Sequence, residues 1–450
     1  MAIITQETRA EQYRSKSIFT FAKDFKLGSV LEQANVRKAK GIGVLTVFLE
    51  LLSVSFSRKS LNQLLQEKGL ECKKDVFYRF MNSTSANWYR FIRLLSTLVM
   101  AAVIRFSDPG QMPVLILDDT LHKRDRSKNV ELLARIRDHN DGRYYRGFRC
   151  LTLGFHDGNT FLPMDFRLFS SKNEKSRFQE ARTGLDKRTN GYKVRQMALS
   201  DSYQMSFQML AKQRTGVRHV LFDSWFAEPV MFKTLRSMEL YGIGMLKAKK
   251  GSYYRYKGKL YSLEKLYAQV DYLFRQEHSF VAVGVELGDG TPFSVTFVRD
   301  KHSKRDWLAI GTTDISLSPQ QVIRLYSRRW NIEVFFKTVK SFLGFAKECQ
   351  SRSFDAIVCS VAVVFTRYIM LAWQNLGMPV KHTQGQMFFK VSDEMRGGEC
   401  SFAEALDIVI RELKCVFVQF DIALLSAVSY FISQLPLCFS PLREVFSCET

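Results

Sequence analysis

The stretch "MPVLILDDT" at residues 112–120 places an apolar run directly before two acidic residues. Uninterrupted apolar runs of this kind, bounded by turn-forming residues, are typical of a strand buried within a sheet. Asp118 and Asp119 would then stand at the end of that strand. Because a carboxylate beside a buried strand must be solvated, capped or bound to a cation, the stretch predicts a sheet with a polar site at its edge.

A second stretch, "VRHVLFDSWF" at residues 217–226, repeats this pattern with Asp223 after the apolar run. Binding sites in open α/β sheets collect at the carboxyl ends of the strands. The alternative for Asp223 is a helix N-cap or a turn, because a predicted helix follows it. Two acids at the ends of neighbouring strands, in a strongly basic chain, favour instead a divalent-metal site that faces phosphates.

The segments around these strands predict the rest of the sheet. "FRCLTLGFHDGNTFLPMDFRLF" at residues 148–169 predicts a hairpin with its turn at His156–Asn159, and the segment before it is predicted as a polar excursion. From about 250 to 305 the pattern becomes β-like, and "GDGT" at 288–291 predicts another hairpin. A meander of strands followed by alternating helices and strands predicts a mixed α/β sheet.

The two ends of the chain are predicted to be helical. In residues 1–108, short segments of helical period alternate with turns, and "NSTSAN" at 82–87 predicts a turn and helix cap. Lysine and arginine on the polar faces are compatible with a helix-turn-helix type of DNA-binding region or with a plain helical bundle. The segment 386–450 is also predicted to be mostly helical.

The charge balance indicates the kind of partner. The 450 residues include 66 Lys and Arg against 44 Asp and Glu, a formal net charge of +22. Such an excess implies a polyanionic partner, with nucleic acid first and an anionic membrane surface second. The longest apolar run, Ala356–Trp373, contains Arg367 and therefore predicts a buried core helix rather than a membrane span. The eight cysteines form no CxxC pair, which argues against zinc and fits a reducing cytoplasm.

The stretch "YSRRWNIEVFFKTVK" at residues 326–340 is predicted to form one amphipathic helix. At about 100° per residue, Tyr326, Arg329, Glu333 and Lys340 would share one stripe, opposite the apolar side chains between them. The alternative is an ordinary surface helix, in which Glu333 pairs with Arg329 and Lys337 at spacings of four residues. Each such pair contributes only about 0.2–0.5 kcal/mol.

The spacing of Tyr326, Arg329, Glu333 and Lys340 resembles the YREK signature of the DDE transposases of bacterial insertion sequences, in the family-four group. "LILDDT" resembles the first aspartate motif of that group, and "VLFDSWFA" resembles the second. The resemblance implies an α/β fold: a ribonuclease-H-like catalytic core with a β-rich insertion, an N-terminal helical DNA-binding region and a C-terminal helical tail. The implied regions are 1–108 (DNA binding), 109–249 (first part of the catalytic domain), 250–305 (β-strand insertion), 306–385 (second part, with the signature helix) and 386–450 (C-terminal helices, with a role in dimerisation).

The resemblance also implies roles for individual residues. Asp118, Asp223 and Glu333 would be the catalytic, metal-binding triad, with Asp119 as the alternative to Asp118. The residues implied in DNA binding are Tyr326, Arg329, Lys337, Lys340 and Trp307. Trp307 corresponds by position alone to an aromatic residue that stacks on a flipped base, and a core position is its alternative.

The implied activity is cut-and-paste DNA transposition: cleavage at the element's ends, a hairpin intermediate, and strand transfer by attack of a 3′-OH. Two Mg²⁺ ions about 3.5–4 Å apart would clamp the reacting phosphate, with Mn²⁺ as a substitute. The implied partners are double-stranded DNA with terminal inverted repeats, target DNA and a second copy of the chain on paired ends, in the bacterial cytoplasm and nucleoid. The alternatives are a metal-dependent nuclease without strand transfer and a DNA-binding relative that has lost catalysis.

Overall fold

The computed structural model describes residues 15–395 except 39, 68–69, 71, 139–140, 214, 250, 276–278 and 300–306. Residues 1–391 belong to one compact unit and 392–450 to a second. Most of the predicted C-terminal region 386–450 therefore lies outside the described residues.

Helices make up the described chain before the first strand, occur between several of the strands, and follow the last strand. Their bounds are α1 Lys16–Asp24, α2 Leu27–Gln33, α3 Val44–Phe56, α4 Leu61–Gln66, α5 Lys74–Met81, α6 Trp88–Ile104, α7 Asn190–Ala198, α8 Ser202–Ala211, α9 Pro229–Ser237, α10 Leu263–Val270, α11 Pro319–Ser327, α12 Trp330–Ser341, α13 Phe354–Leu376 and α14 Gln384–Met395. Asn87 caps α6 by accepting the backbone N–H of Arg90, which confirms the predicted turn and cap.

The described strands join into one mixed sheet. Their bounds are β1 Val114–Lys123, β2 Ala134–Arg137, β3 Tyr144–His156, β4 Phe161–Phe169, β5 His219–Phe222, β6 Tyr241–Leu246, β7 Tyr254–Tyr256, β8 Lys259–Tyr261, β9 Phe280–Glu286, β10 Pro292–Arg299 and β11 Trp307–Thr312. The order across the sheet is β2-β3-β1-β5-β6-β11-β10-β9-β7-β8, with β4 also paired to β3. β1, β5 and β6 are parallel, and the pairings of β1 with β3 and of β6 with β11 are antiparallel. This architecture agrees with a ribonuclease-H-like core.

Both predicted hairpins are present. β3 and β4 are joined at the predicted place, where the Asp157 side chain accepts the backbone N–H groups of Asn159 at 2.8 Å and Thr160 at 2.6 Å. β9 and β10 are joined through the "GDGT" turn. In each turn an aspartate side chain takes the place of backbone hydrogen-bond partners that the chain loses where it reverses. Such aspartate-containing motifs therefore indicate hairpin turns in a sequence.

The prediction of a polar excursion before the hairpin was wrong in part, because this segment contains β2. In this strand Ala134 and Ile136 are buried, whereas Arg135 and Arg137 are exposed. The two apolar residues pack with Leu121 of β1, which extends past the acidic pair. Two inward-facing residues give too short an alternation to distinguish a strand from a polar loop in sequence.

The β-rich segment that begins near residue 250 continues the same sheet. β9 and β10 connect to β11, and β11 pairs with β6 of the parallel core. β7 pairs with β9 and carries β8 at the end of the strand order. Strands β7 to β11 therefore extend the sheet from the side of β6 that faces away from β5.

Helix α13 is the apolar run with the internal arginine. It is long and apolar enough to cross a membrane, but 94% of its most apolar window is buried inside the protein. Arg367 is fully buried and donates to the backbone oxygens of Leu51, Leu52 and Leu343, and it also pairs with Glu348. The prediction of a core helix is confirmed, and its arginine satisfies backbone groups of α3 and of the segment after α12.

Candidate active site

The two predicted aspartates lie side by side at the carboxyl edge of the parallel strands. β1 and β5 are paired up to Leu117 and Phe222, and Asp118 and Asp223 are the next residues. Adjacent strands are about 4.8 Å apart, so the two carboxylates share a small volume. The expectation that these acids converge from separate parts of the sequence is met by the register of one strand pair.

Asp118 has the environment of a group that needs a cation. Its side chain is 16% exposed and faces Arg329 across a 3.1 Å contact between Oδ2 and Nη1. Burial raises the pKa of Asp118 well above its ordinary value, and the carboxylates of Asp223 and Asp119 raise it further, while Arg329 acts in the opposite direction. A buried acid whose neighbours are also acids is typical of a functional site.

Asp119 points away from this group. Successive residues of a strand face opposite sides of the sheet, and Asp119 forms an ion pair of 2.6 Å with Arg149 on β3. Arg149 also donates to the backbone oxygen of Arg137. The choice that the sequence left between the two acids therefore has a structural basis, since Asp118 alone of the pair faces Arg329.

Asp223 begins the turn between β5 and α9. Its Oδ1 accepts the backbone N–H groups of Trp225 at 3.0 Å and Phe226 at 3.4 Å. The N-cap of α9 is Glu228, so Asp223 is a turn former rather than the helix cap. These bonds engage one carboxylate oxygen and hold the side chain in a fixed orientation beside Asp118.

The signature stretch forms two helices instead of the single helix predicted. α11 ends at Ser327 and α12 begins at Trp330, and the N–H groups of Arg328 and Arg329 bond to carbonyls three residues back. This tight turn changes the angular step, so a wheel of 100° per residue does not hold across it. Arg328 turns toward the segment before β1, where it donates to the backbone oxygen of Met112.

Of the four residues predicted to share one stripe, α12 carries Glu333 and Lys340, whereas Tyr326 lies in α11 and Arg329 at the turn. Arg329 bonds to Glu333 on its own helix as well as to Asp118, so one guanidinium joins the first and third acids of the predicted triad. Lys340, the last residue but one of α12, donates to the hydroxyl of Thr120. Thr120 had no role assigned from the sequence, although strand alternation places it on the same face as Asp118. Lys337 is exposed.

The hydroxyl of Tyr326 is a polar atom buried beside these acids. Among the described residues, no group forms a hydrogen bond of normal geometry with it. The Arg329 guanidinium lies 5.9 Å from its ring centroid. Burial raises the pKa of Tyr326 to about 12, and the nearby carboxylates of Asp223 and Asp118 act in the same direction against Arg329. A buried hydroxyl of this kind fits a position that receives a further polar group from a ligand.

The donor atoms fit a hard divalent cation, but their present arrangement holds a guanidinium. Carboxylate oxygens from Asp118, Asp223 and Glu333 are the ligands that Mg²⁺ prefers. Within the described ranges, no three His, Cys, Asp or Glu side chains are arranged to hold a metal ion. Arg329 contacts two of the three carboxylates, so a guanidinium occupies the oxygens of Asp118 and Glu333 in this structure.

Trp307 is the first residue of β11. Its ring is stacked on Tyr267 at a centroid distance of 4.6 Å and an interplanar angle of 13°, and it meets Phe297 edge-on. The indole is half-buried, so it is neither a core residue nor fully available. Its predicted contact with DNA stays a prediction.

Two basic residues, one at the end of β1 and one just after it, are packed inside the protein. Arg124 is buried and donates to the backbone oxygens of Cys349 and Ser351. His122 is also buried, with its ring 4.9 Å from that of Phe345. The exposed basic residues of this region include Lys123, Arg135 and Arg137.

Comparison with known families identifies the class of protein. The family described as DDE superfamily endonuclease matches residues 32–256, half of the chain. The chain belongs to the DDE superfamily endonucleases. The match contains Asp118 and Asp223, whereas Glu333 and the whole of α12 lie beyond it. No curated protein matches the sequence.

Membership of this superfamily implies DNA as the substrate and a nuclease or transposase type of enzyme. In this endonuclease, the two acids within the matched segment meet by strand pairing. The third acid, Glu333 on α12, is linked to Asp118 through Arg329. The geometry thus brings a helix outside the matched segment to the edge of the sheet inside it.

Proposed function

We propose that this endonuclease is the transposase of a bacterial insertion sequence in the family-four group with the YREK signature. The observation that carries the proposal is the contact between α12 and β1. Arg329 joins Asp118 to Glu333, and Lys340 bonds to Thr120. Two residues of the signature, Arg329 and Lys340, therefore contact the first aspartate motif. A surface helix with internal ion pairs would not need either contact with the strand.

In this proposal Asp118, Asp223 and Glu333 hold the catalytic metal ions. When bound, two Mg²⁺ ions supply an activated water and stabilise the leaving oxygen in an in-line displacement. Arg329, Lys337 and Lys340 bind phosphates of the DNA end, and the Tyr326 hydroxyl supplies a polar contact beside them. Trp307 stacks on a displaced base after rotating away from Tyr267.

The resemblance to this group of transposases implies the reaction sequence, in which no covalent enzyme intermediate forms. Water attacks the phosphodiester at the element's end and frees a 3′-OH. That hydroxyl attacks the opposite strand to form a hairpin, which water reopens, and the restored 3′-OH then attacks target DNA. Two copies of the chain, each on one inverted repeat, would act together in the bacterial cytoplasm at the nucleoid.

The test uses the full-length protein and linear DNA copied from the sequence that flanks its gene on both sides. With Mg²⁺ or Mn²⁺, we expect cleavage at inverted repeats and joining of the freed ends to a supercoiled plasmid, both measured on denaturing and agarose gels. A chelator should stop both steps. Because phosphate contacts release counterions, binding measured by anisotropy should weaken linearly in log K against log salt.

Two results would change this assignment. Cleavage without joining to the plasmid would identify a nuclease that lacks strand transfer, the activity closest to the family's own description. Binding without cleavage in any divalent metal would identify a DNA-binding relative. A scrambled duplex of equal length and composition is the control for end-specific cutting.

A further inference from the structure

The position of Arg329 raises a question that DNA binding alone does not answer. Its Nη1 lies 3.1 Å from Oδ2 of Asp118, and its Nη2 bonds to Oε1 of Glu333. The Arg329 side chain is 16% exposed and Glu333 is 34% exposed, so the bridge is not a loose surface pair. The atoms it engages are the oxygens that the proposed function assigns to metal ions.

The charges around this bridge explain why a cation occupies it. Asp118, Asp223 and Glu333 would repel one another if all three were ionised with nothing between them. Lys340 is directed to the Thr120 hydroxyl. Arg329 is therefore the described cation that offsets the charge of two acids of the set.

Arginine is suited to leave such a position for DNA. Its planar fork binds carboxylate and phosphate with similar geometry, so a DNA phosphate can replace the carboxylates as its partner. The residue stands at the tight turn between α11 and α12, one position before the first residue of α12.

Resting on the proposed function of this site, we propose that Arg329 is a gate that couples metal binding to DNA binding. In the DNA-free protein the guanidinium bridges Asp118 and Glu333 and keeps divalent ions from these oxygens. A phosphate of the bound DNA draws the guanidinium away, and the carboxylates become available. By thermodynamic reciprocity, the metal then increases the affinity for DNA by the same factor as DNA increases the affinity for metal.

The test measures Mn²⁺ binding to the full-length protein by electron paramagnetic resonance, without DNA and with the gene-flanking duplex. Arg329→Met removes the charge and keeps the length of the side chain. Without DNA, we expect this variant to bind Mn²⁺ about tenfold more tightly than the unaltered protein, within the usual range of coupling between sites. The unaltered protein should gain a similar factor when DNA is added, and the variant should gain little.

The double variant Asp118→Asn with Arg329→Met locates the ion, because it should lose the added affinity. Arg329→Lys is the matched control for charge, since it keeps a cation but loses the fork that reaches two acids.

Equal Mn²⁺ affinity of the Arg329→Met variant and the unaltered protein without DNA would overturn the gate. Weaker binding by the variant would also overturn it, and would make Arg329 a fixed support of the acids.

The failure of the gate and the failure of the proposed function are separable. If the unaltered protein cleaves and joins DNA while Arg329→Met leaves Mn²⁺ affinity unchanged, the gate is wrong and the transposase assignment stands. If Arg329→Met tightens Mn²⁺ binding in a protein that never cleaves DNA, the gate stands and the transposase assignment is wrong.

Discussion

Asp118→Asn is expected to abolish DNA-end cleavage, with a loss of about 10³-fold or more in single-turnover rate, since a metal ligand contributes several kcal/mol to charge stabilisation. DNA binding should remain close to that of the unaltered protein, because the phosphate contacts are assigned to other residues. The amide keeps the shape of the carboxylate and removes repulsion with Asp223, so the fold should be retained. Cleavage is measured on denaturing gels and folding by chemical denaturation.

The neighbouring acid supplies a matched control. Asp119→Asn changes the same atom types one residue along β1, but on the face that holds Arg149. We expect its cleavage rate to stay within a few-fold of the unaltered protein, roughly as for substitutions away from the reacting groups. Equal losses for Asp118→Asn and Asp119→Asn, or full activity of Asp118→Asn, would contradict the assignment.

Glu333→Gln extends the test to the helix that lies outside the family match. If Glu333 is the third ligand, this variant should lose cleavage to the same degree as Asp118→Asn and Asp223→Asn. A loss confined to the two aspartates would make Glu333 an ion-pair partner of Arg329 only. That result would restore the surface-helix alternative that the spacing of four residues allows.

The parts of this site that follow from sequence are those with strong local patterns. The apolar runs before Asp118 and Asp223 predicted two buried strands, and the register of β1 with β5 brings the two acids together. Asp223 does follow the end of β5, but the prediction that Asp118 ends its strand was wrong, because β1 continues to Lys123. The spacing of Glu333 and Lys340 predicted that they share one face of a helix. Lys340 does bond to Thr120 of β1, and Glu333 bonds to Arg329. Buried strands and helix faces are set by neighbours in the chain, so they are visible without coordinates.

The parts that the sequence did not predict depend on long side chains and on distant segments. The chain contains no local sign that α11 and α12 are separated at Arg328, or that Arg328 and Arg329 point to different partners. The choice between Asp118 and Asp119 required Arg149, which lies 30 residues away on another strand. A helical wheel gives the direction in which a side chain leaves the helix, but it does not give the group that an arginine reaches.

A buried ion network away from the site shows this limit most clearly. Arg195 on α7 is 2% exposed and bonds to both carboxylate oxygens of Glu131, at 2.5 and 2.8 Å, and of Asp355, at 3.0 and 2.7 Å. These partners are 64 and 160 residues away in sequence. Glu131 also accepts the backbone N–H groups of Phe354 and Arg182, so the network ties α7 to the start of α13.

Arg195→Met is expected to destabilise the protein by about 3–5 kcal/mol, because it leaves the largely buried carboxylates of Glu131 and Asp355 without their cationic partner. The measurement is the midpoint and slope of urea unfolding. Arg188→Met is the control, since its pair with Asp186 involves an arginine side chain that is 91% exposed. Surface pairs of this kind contribute little, so its unfolding midpoint should not change.

The pH dependence of unfolding tests the same network by a second route. Burial acts to raise the pKa of Glu131, but the bonds from Arg195, Phe354 and Arg182 outweigh it and lower the pKa below its ordinary value of 4.5. Since the folded pKa is lowered, Glu131 stabilises the fold above pH 4.5, and this contribution disappears as the pH falls through the folded pKa. In Arg195→Met the main bond that lowers this pKa is gone, so the acid-dependent part of the stability should shrink. An unchanged acid profile together with an unchanged urea midpoint would show that Arg195 does not carry the link between α7 and α13.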